Sequence, residues 1–164
     1  MRIAAATVLF LLAAPLHAQD RLPAGAAAAA FKQAKCTVAF NDALAKAEPF
    51  DLEAGKTLYK VECWRMAYQT GSILLLDDGA GPVRPLTFQG WNGKKFEPEL
   101  TLSDVDYVPQ SKTLTSYRKG SAEADCGTIG VWRWTGADFK MTGYWYKAKC
   151  DGYPFSGQPR YRIH

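Results

Sequence analysis

Histidine is nearly absent from this 164-residue chain, which has only His17 and His164. With no histidine in the body of the protein, a Cys-His or Ser-His-Asp nucleophilic centre lacks its usual base. Closely spaced metal ligands are missing too. No Cys-x-x-Cys pair occurs, and successive cysteines stand 27, 63 and 24 residues apart, unlike the tight ligand spacing of a structural zinc site. The sequence thus offers no catalytic residue of the common kinds, no metal site and no cofactor site. Long apolar runs are also lacking: the one from Ile3 to Ala14 falls short of the roughly 20 residues that cross a bilayer. No segment repeats at a fixed period, and no shift of composition marks a second domain.

What is present begins with MRIAAATVLFLLAAPLHA, one positive charge at Arg2, an apolar run, a Pro15 breaker and a small residue at Ala18. That pattern reads as a signal peptide over residues 1–18, and it implies a periplasmic or secreted protein after cleavage near Ala18. The remaining 146 residues carry 19 basic and 16 acidic side chains, and their number suits one core. From Pro109 to His164 there are 9 basic and 4 acidic residues, against 10 and 12 from Gln19 to Val108. A basic bias of this size suits an anionic or acidic partner, or a solvated surface. Export and the small net charge argue against nucleic acid.

Cys36, Cys63, Cys126 and Cys150 all follow the leader, and an exported chain meets an oxidising compartment, so two disulfides are expected. Three connectivities exist for four cysteines. We favour Cys36 with Cys63 and Cys126 with Cys150, since each closes a local loop. In an unbroken hairpin pairing Trp134 with Phe139, Cys126 faces Lys147 and Cys150 points to the other side. A bulge near Gly127 or Gly143, or a strand that stops short of Cys126, is then required.

The segment 19–34 is alanine-rich, a short helix after Pro23 or a flexible linker as far as Ala28. Residues 35–164 read as one β domain. EPFDLEAGKTLYKVECW alternates on both sides of Ala54-Gly55 and predicts a hairpin. Ile73 to Leu76 is a short buried run, Val83 to Phe88 an edge strand weakened by Pro82 and Pro85, and TLSDVDYV and KTLTSYRKG are strands joined by a turn at Pro109 to Ser111. The strongest local pattern is the last hairpin, Thr128 to Trp134 and Phe139 to Cys150, around TGAD. In its unbroken register Trp132, Trp134, Phe139, Met141 and Trp145 share a core face. Arg133, Lys140, Thr142, Tyr144 and Tyr146 share the other. The fold class is all-β, an antiparallel sheet of about six or seven short strands with a short N-terminal helix, disulfide-bonded.

At LYKVECWRMAYQ, LTSYRKGSAEADCG, VWRWTGADFKM and KCDG the chain resembles the bacterial family of domains of unknown function numbered 1176. The resemblance spans Cys36 to Gly152 and is carried by Cys63, Asp125, Cys126, Gly127, Trp132, Trp134, Gly136, Phe139, Cys150 and Gly152. The chain departs from the family pattern at Arg65 to Gln69 and at Ser121 to Ala124. The resemblance implies an exported, disulfide-bonded domain and carries no activity with it.

Asp125 next to Cys126 disfavours the thiolate, and a role accepting hydrogen bonds in the Asp-Cys-Gly turn suits it better. The carboxylate pairs Asp77 and Asp78, Glu97 and Glu99, and Asp104 and Asp106 lack the denser spacing of a calcium loop and suit solvated sheet faces. Tyr144 and Tyr146, interleaved with Arg133, Lys140 and Lys147, form a candidate stacking and cation–π face, unless a second layer covers the tyrosines. The leading reading is a non-catalytic periplasmic binding or envelope-interaction protein using Arg133, Lys140, Tyr144, Tyr146 and Asp125. Its partner would be an envelope component or a secreted protein, with inhibition of a secreted enzyme such as lysozyme as one form. The alternatives are a thiol-dependent redox protein using Cys126, a hydrolase using Glu97 and Glu99, or a structural envelope component.

Overall fold

A computed structural model describes residues 22–164, so the expected signal peptide lies outside the described residues. The alanine-rich segment is helical: α1 spans Ala24–Gln33 and buries Ala27, Ala30 and Phe31, which share a face at helical spacing. A second, six-residue helix, α2 at Phe40–Ala45, follows Cys36. Then come β1 (Glu48–Asp51), β2 (Thr57–Arg65), β3 (Thr70–Asp77), β4 (Arg84–Pro85), β5 (Phe88–Trp91) and β6 (Phe96–Glu99). The remainder is β7 (Thr101–Ser103), β8 (Asp106–Val108), β9 (Thr113–Lys119), β10 (Gly127–Trp134) and β11 (Phe139–Lys147).

The protein is all-β and antiparallel in its sheets, with short helices at the N-terminal end. Instead of one sheet of six or seven strands, the described residues form eleven strands in three sheets. The first runs β1-β2-β3-β4 with β7 also on β3, the second β11-β10-β9-β8, and β5 pairs with β6 in a separate ribbon. Two cores result. Leu58, Leu74 and Leu76 on one face of the first sheet meet Leu114, Trp132, Trp134 and Tyr144 of the second. Tyr59, Val61, Ile73 and Leu75 on its other face meet Ala27, Phe31 and Ala43 of the helices. The run Ile73 to Leu76 is thus buried on both sides, which is why it is apolar without alternation.

Where the expected strands differ, the backbone gives the reason. TLSDVDYV is not one strand: Asp104 has φ 40°, and the chain turns there from β7 in the first sheet to β8 in the second. Leu102, Val105 and Tyr107 are consequently all buried in one core. Val83 to Phe88 is not one strand either, since Pro85 ends a two-residue edge strand and Phe88 opens the ribbon.

The last hairpin carries the largest correction. Trp132 pairs with Met141 but Val131 with Gly143, so Thr142 has no opposite residue. This bulge reverses the alternation beyond it. Tyr144 enters the core at 2 % exposure, and Trp145 leaves the core face for the opposite one. Both disulfides form as favoured, Cys36 with Cys63 and Cys126 with Cys150. The second closes beyond the ladder, which starts at Gly127 and ends at Lys147.

Candidate functional site

The expected aromatic and basic face is not formed as one surface. Arg133 and Lys140 pair across the hairpin and are exposed, whereas Tyr144 and Tyr146, beyond the bulge, point to the opposite side. The Tyr144 hydroxyl accepts a hydrogen bond from the Trp91 backbone N–H at 3.2 Å, and its ring meets Phe96 edge-on at 5.2 Å. Tyr146 reaches the end of the sheet and lines an open cleft of about 340 Å³ together with Trp91, Asn92, Gly93, Arg118 and Lys119.

Four elements build that cleft. The ribbon turn after β5 contributes Trp91 to Gly93, the end of β9 contributes Arg118 to Gly120, the start of β10 contributes Gly127 and Thr128, and β11 contributes Tyr146. Trp91 stands between Phe96, at 5.1 Å and edge-on, and Tyr146, at 6.1 Å with the rings tilted by 53°. Gly127 has φ 124°, and a Cβ there would fall 2.0 Å from the Arg118 carbonyl oxygen. A Cβ on Gly120 would fall 2.7 Å from the Cys126 sulfur. Bare backbone at this floor is therefore a packing requirement.

Charges around the cleft are matched. Arg118 donates to Glu99 at 2.6 Å, and Lys119 lies 2.8 Å from Asp104. Lys119 also donates to the Tyr68 carbonyl, and its backbone N–H donates to the Gln69 side chain. The β2–β3 turn, with exposed Met66 and Tyr68, is thereby tied to the rim.

Behind the floor lies Asp125, which is buried. It accepts hydrogen bonds from the Ser121 hydroxyl and from the Gly152 backbone N–H at 2.6 Å, and these donors hold its carboxyl below the usual aspartate range. Asp125 thus links the two loops that Cys126 and Cys150 join. Oxygen and sulfur atoms of Asp125, Cys126 and Cys150 lie within 4.8 Å of one another, but both sulfurs are bonded to each other. Lys147 is buried nearby, 2.6 Å from Asp151.

The other carboxylate pairs have local partners. Glu97 lies 3.0 Å from Lys95 and Glu99 binds Arg118. Asp77 and Asp78 accept from the backbone of Gly79 and Ala80 in their own turn, and Asp104 accepts from Thr70 N–H. Two further concavities, of about 190 and 210 Å³, sit on the first sheet around Lys46, Glu62 and Arg65. They are smaller than the cleft, and their rims are dominated by charged side chains.

Of the residues proposed from the sequence, Tyr146 lines this cleft, while Trp91, Asn92, Arg118 and Lys119 were not among them. The available signal was GWNGKK, a turn between two short strands with an aromatic at its entry.

Among the described residues, no helix is long and apolar enough to cross a membrane. No solved structure matches the chain. Over 101 residues it is 27 % identical to the uncharacterized protein YpfG of Escherichia coli (strain K12), covering 60 % of this chain and 29 % of that relative. The chain therefore spans under a third of the length of this relative. The match to the family described as "Protein of unknown function (DUF1176)" extends over residues 6–160, and the chain belongs to that family.

Proposed function

We propose that this protein is an exported, non-catalytic binding protein of the bacterial envelope that takes its ligand in the cleft between the β5–β6 turn and the end of the second sheet. One observation carries the reading: Trp91 and Tyr146 flank a glycine floor that a buried carboxylate and a disulfide hold in place. A concave site with aromatic walls and a few fixed polar groups is the usual form of a ligand pocket. The leader and the two disulfides suit a periplasmic or secreted location.

The redox alternative has less to support it. Cys126 is 2 % exposed and bonded to Cys150, so a thiolate reaches this bridge from the Cys150 side, and Asp125 next to Cys126 disfavours the thiolate that reduction would leave there. For a hydrolase, Glu97 and Glu99 are each engaged by a cation. The proposal is tested by tryptophan fluorescence of the protein secreted through its own leader, titrated with peptidoglycan fragments, lipopolysaccharide core oligosaccharide and a secreted lysozyme. The expected result is saturable binding of one of them, reported by Trp91, silent in Trp91→Phe and lost in Tyr146→Ala. No saturable binding, or binding unchanged in Tyr146→Ala, would overturn it.

A further inference from the structure

We infer that the ligand of this cleft is a short neutral saccharide, one ring or two, lying against Trp91 and Tyr146. The inference rests on the proposal that the cleft is a binding site and adds the chemical class. Its first support is charge. Arg118 and Lys119 are the two cations at the rim, and each already faces a carboxylate, Glu99 at 2.6 Å and Asp104 at 2.8 Å. A phosphate or carboxylate ligand would meet two cations whose charge those carboxylates already offset.

A sugar hydroxyl needs no such charge, because it donates and accepts at once. On the cleft itself Arg118 keeps guanidinium N–H groups beyond the one that Glu99 takes, and Thr128 offers a hydroxyl that both donates and accepts. Asn92 adds to this. Its side-chain oxygen accepts from the backbone N–H groups of Lys94 and Lys95, which leaves the amide nitrogen as the donor available to a ligand.

Shape is the second support. The Trp91 and Tyr146 rings are inclined at 53° with centroids 6.1 Å apart. They form an angled wall and not the parallel slot that grips a flat aromatic ligand. The C–H face of a pyranose lies against one such ring while its edge hydroxyls reach the polar rim. Gly120 and Gly127 line the cleft and present no side chain to it. A volume of about 340 Å³ lies at the small end of ligand pockets, about 300–1,000 Å³, and suits one or two sugar rings.

The test is an amide and indole NMR titration of the isotopically labelled full chain with cellotriose, maltotriose and triacetylchitotriose, alongside trigalacturonate, inorganic phosphate and a tetra-alanine peptide. The expected result is that one neutral trisaccharide shifts Gly120, Gly127, Tyr146 and the Trp91 indole. Its affinity should change less than about twofold when salt is raised to about 0.3 M, because no net charge is being screened. Trp91→Ala should weaken binding at least about tenfold. Should that variant fold poorly, Tyr146→Ala against Tyr146→Phe makes the same comparison, with Phe retaining the stacking face.

Shifts at these residues produced by trigalacturonate, phosphate or the peptide, with none from the neutral sugars, would overturn the saccharide inference and leave the cleft as a binding site for something else. So would saturable binding of the lysozyme alone in the fluorescence titration. Absence of shifts there with every probe, together with no saturable binding of the envelope fractions, would overturn both.

Discussion

The hydroxyl of Tyr144, buried in the core, is the acceptor for the backbone N–H of Trp91, which stands at the mouth of the cleft. Through this bond the second sheet sets the position of the separate β5–β6 ribbon. Tyr144→Phe keeps the ring and deletes only the acceptor, leaving the Trp91 N–H without its partner. An unpaired, largely enclosed donor costs about 1–3 kcal/mol. Urea denaturation should show a loss of that order, and the Trp91 amide resonance should move. Unchanged stability together with an unmoved Trp91 amide would show that the ribbon is held by ring packing alone.

Gly127 and Gly152 both have positive φ, yet they predict different outcomes. At Gly152, φ 78°, a Cβ meets nothing within 4 Å, so Gly152→Ala should cost only the backbone penalty, about 1–2 kcal/mol. At Gly127 the added carbon would also overlap the Arg118 carbonyl, and β9 and β10 must separate to admit it. Gly127→Ala should be the more damaging by at least about 2 kcal/mol, and it should disturb the amides of the cleft floor. Equal melting temperatures for the two variants would refute this account.

The hairpins β1–β2 and β10–β11 and both cysteine pairs were legible because their signals are local: alternation, a turn glycine and a short closed loop. The faces of β11 were not. One extra residue at Thr142 reverses every side chain after it. Closure of Cys126 with Cys150 called for a bulge near Gly127 or Gly143 or a shortened strand but did not choose among them, so the unbroken register assigned Tyr144 and Trp145 to the wrong faces. The break at Asp104 escaped for a similar reason, since a single left-handed residue separates two segments that together keep a strand's alternation. Trp91 and Arg118 lie 27 positions apart and meet only because the ribbon folds over the second sheet. A site assembled by tertiary contact of that kind leaves little trace in either segment.

The two disulfides should differ in how they respond to reductant. Cys63 is fully buried and Cys36 half-buried, whereas Cys150 is exposed although Cys126 is not. Reduction needs a thiolate to reach a sulfur, so the Cys126–Cys150 bridge should open first under graded dithiothreitol, followed by mass-tagged alkylation. Each bridge closes a loop of similar length, at sequence separations of 27 and 24. Removing either as a double Ser variant should therefore cost about 3–4 kcal/mol on the loop-entropy account. Preferential early labelling of Cys36 and Cys63 would contradict the order.

Acid sensitivity follows from four carboxylates. Asp125 is held below its ordinary pKa by the Ser121 hydroxyl and the Gly152 N–H, Asp151 by the Lys147 ammonium, Glu53 by Lys112 and Glu62 by Arg65. Because each folded-state pKa is depressed, the unfolded chain binds more protons than the folded one in acid. The stabilisation is complete above the unfolded values of about 3.9 for Asp and 4.3 for Glu, and it is lost as pH falls through the lower folded values. The melting temperature should be nearly level from about pH 8 to 5 and drop below about pH 4. Asp125→Asn removes one of the four: its melting temperature should be lower at neutral pH, and the gap to the unsubstituted protein should narrow in acid, where Asp125 is itself protonated. Asparagine presents an oxygen to only one of the two donors, so the neutral-pH loss tests the link between Ser121 and Gly152 directly. A gap that stays constant from neutral pH to below about pH 3 would mean that Asp125 contributes by shape and hydrogen bonding alone, and that its charge does not stabilise the loop junction.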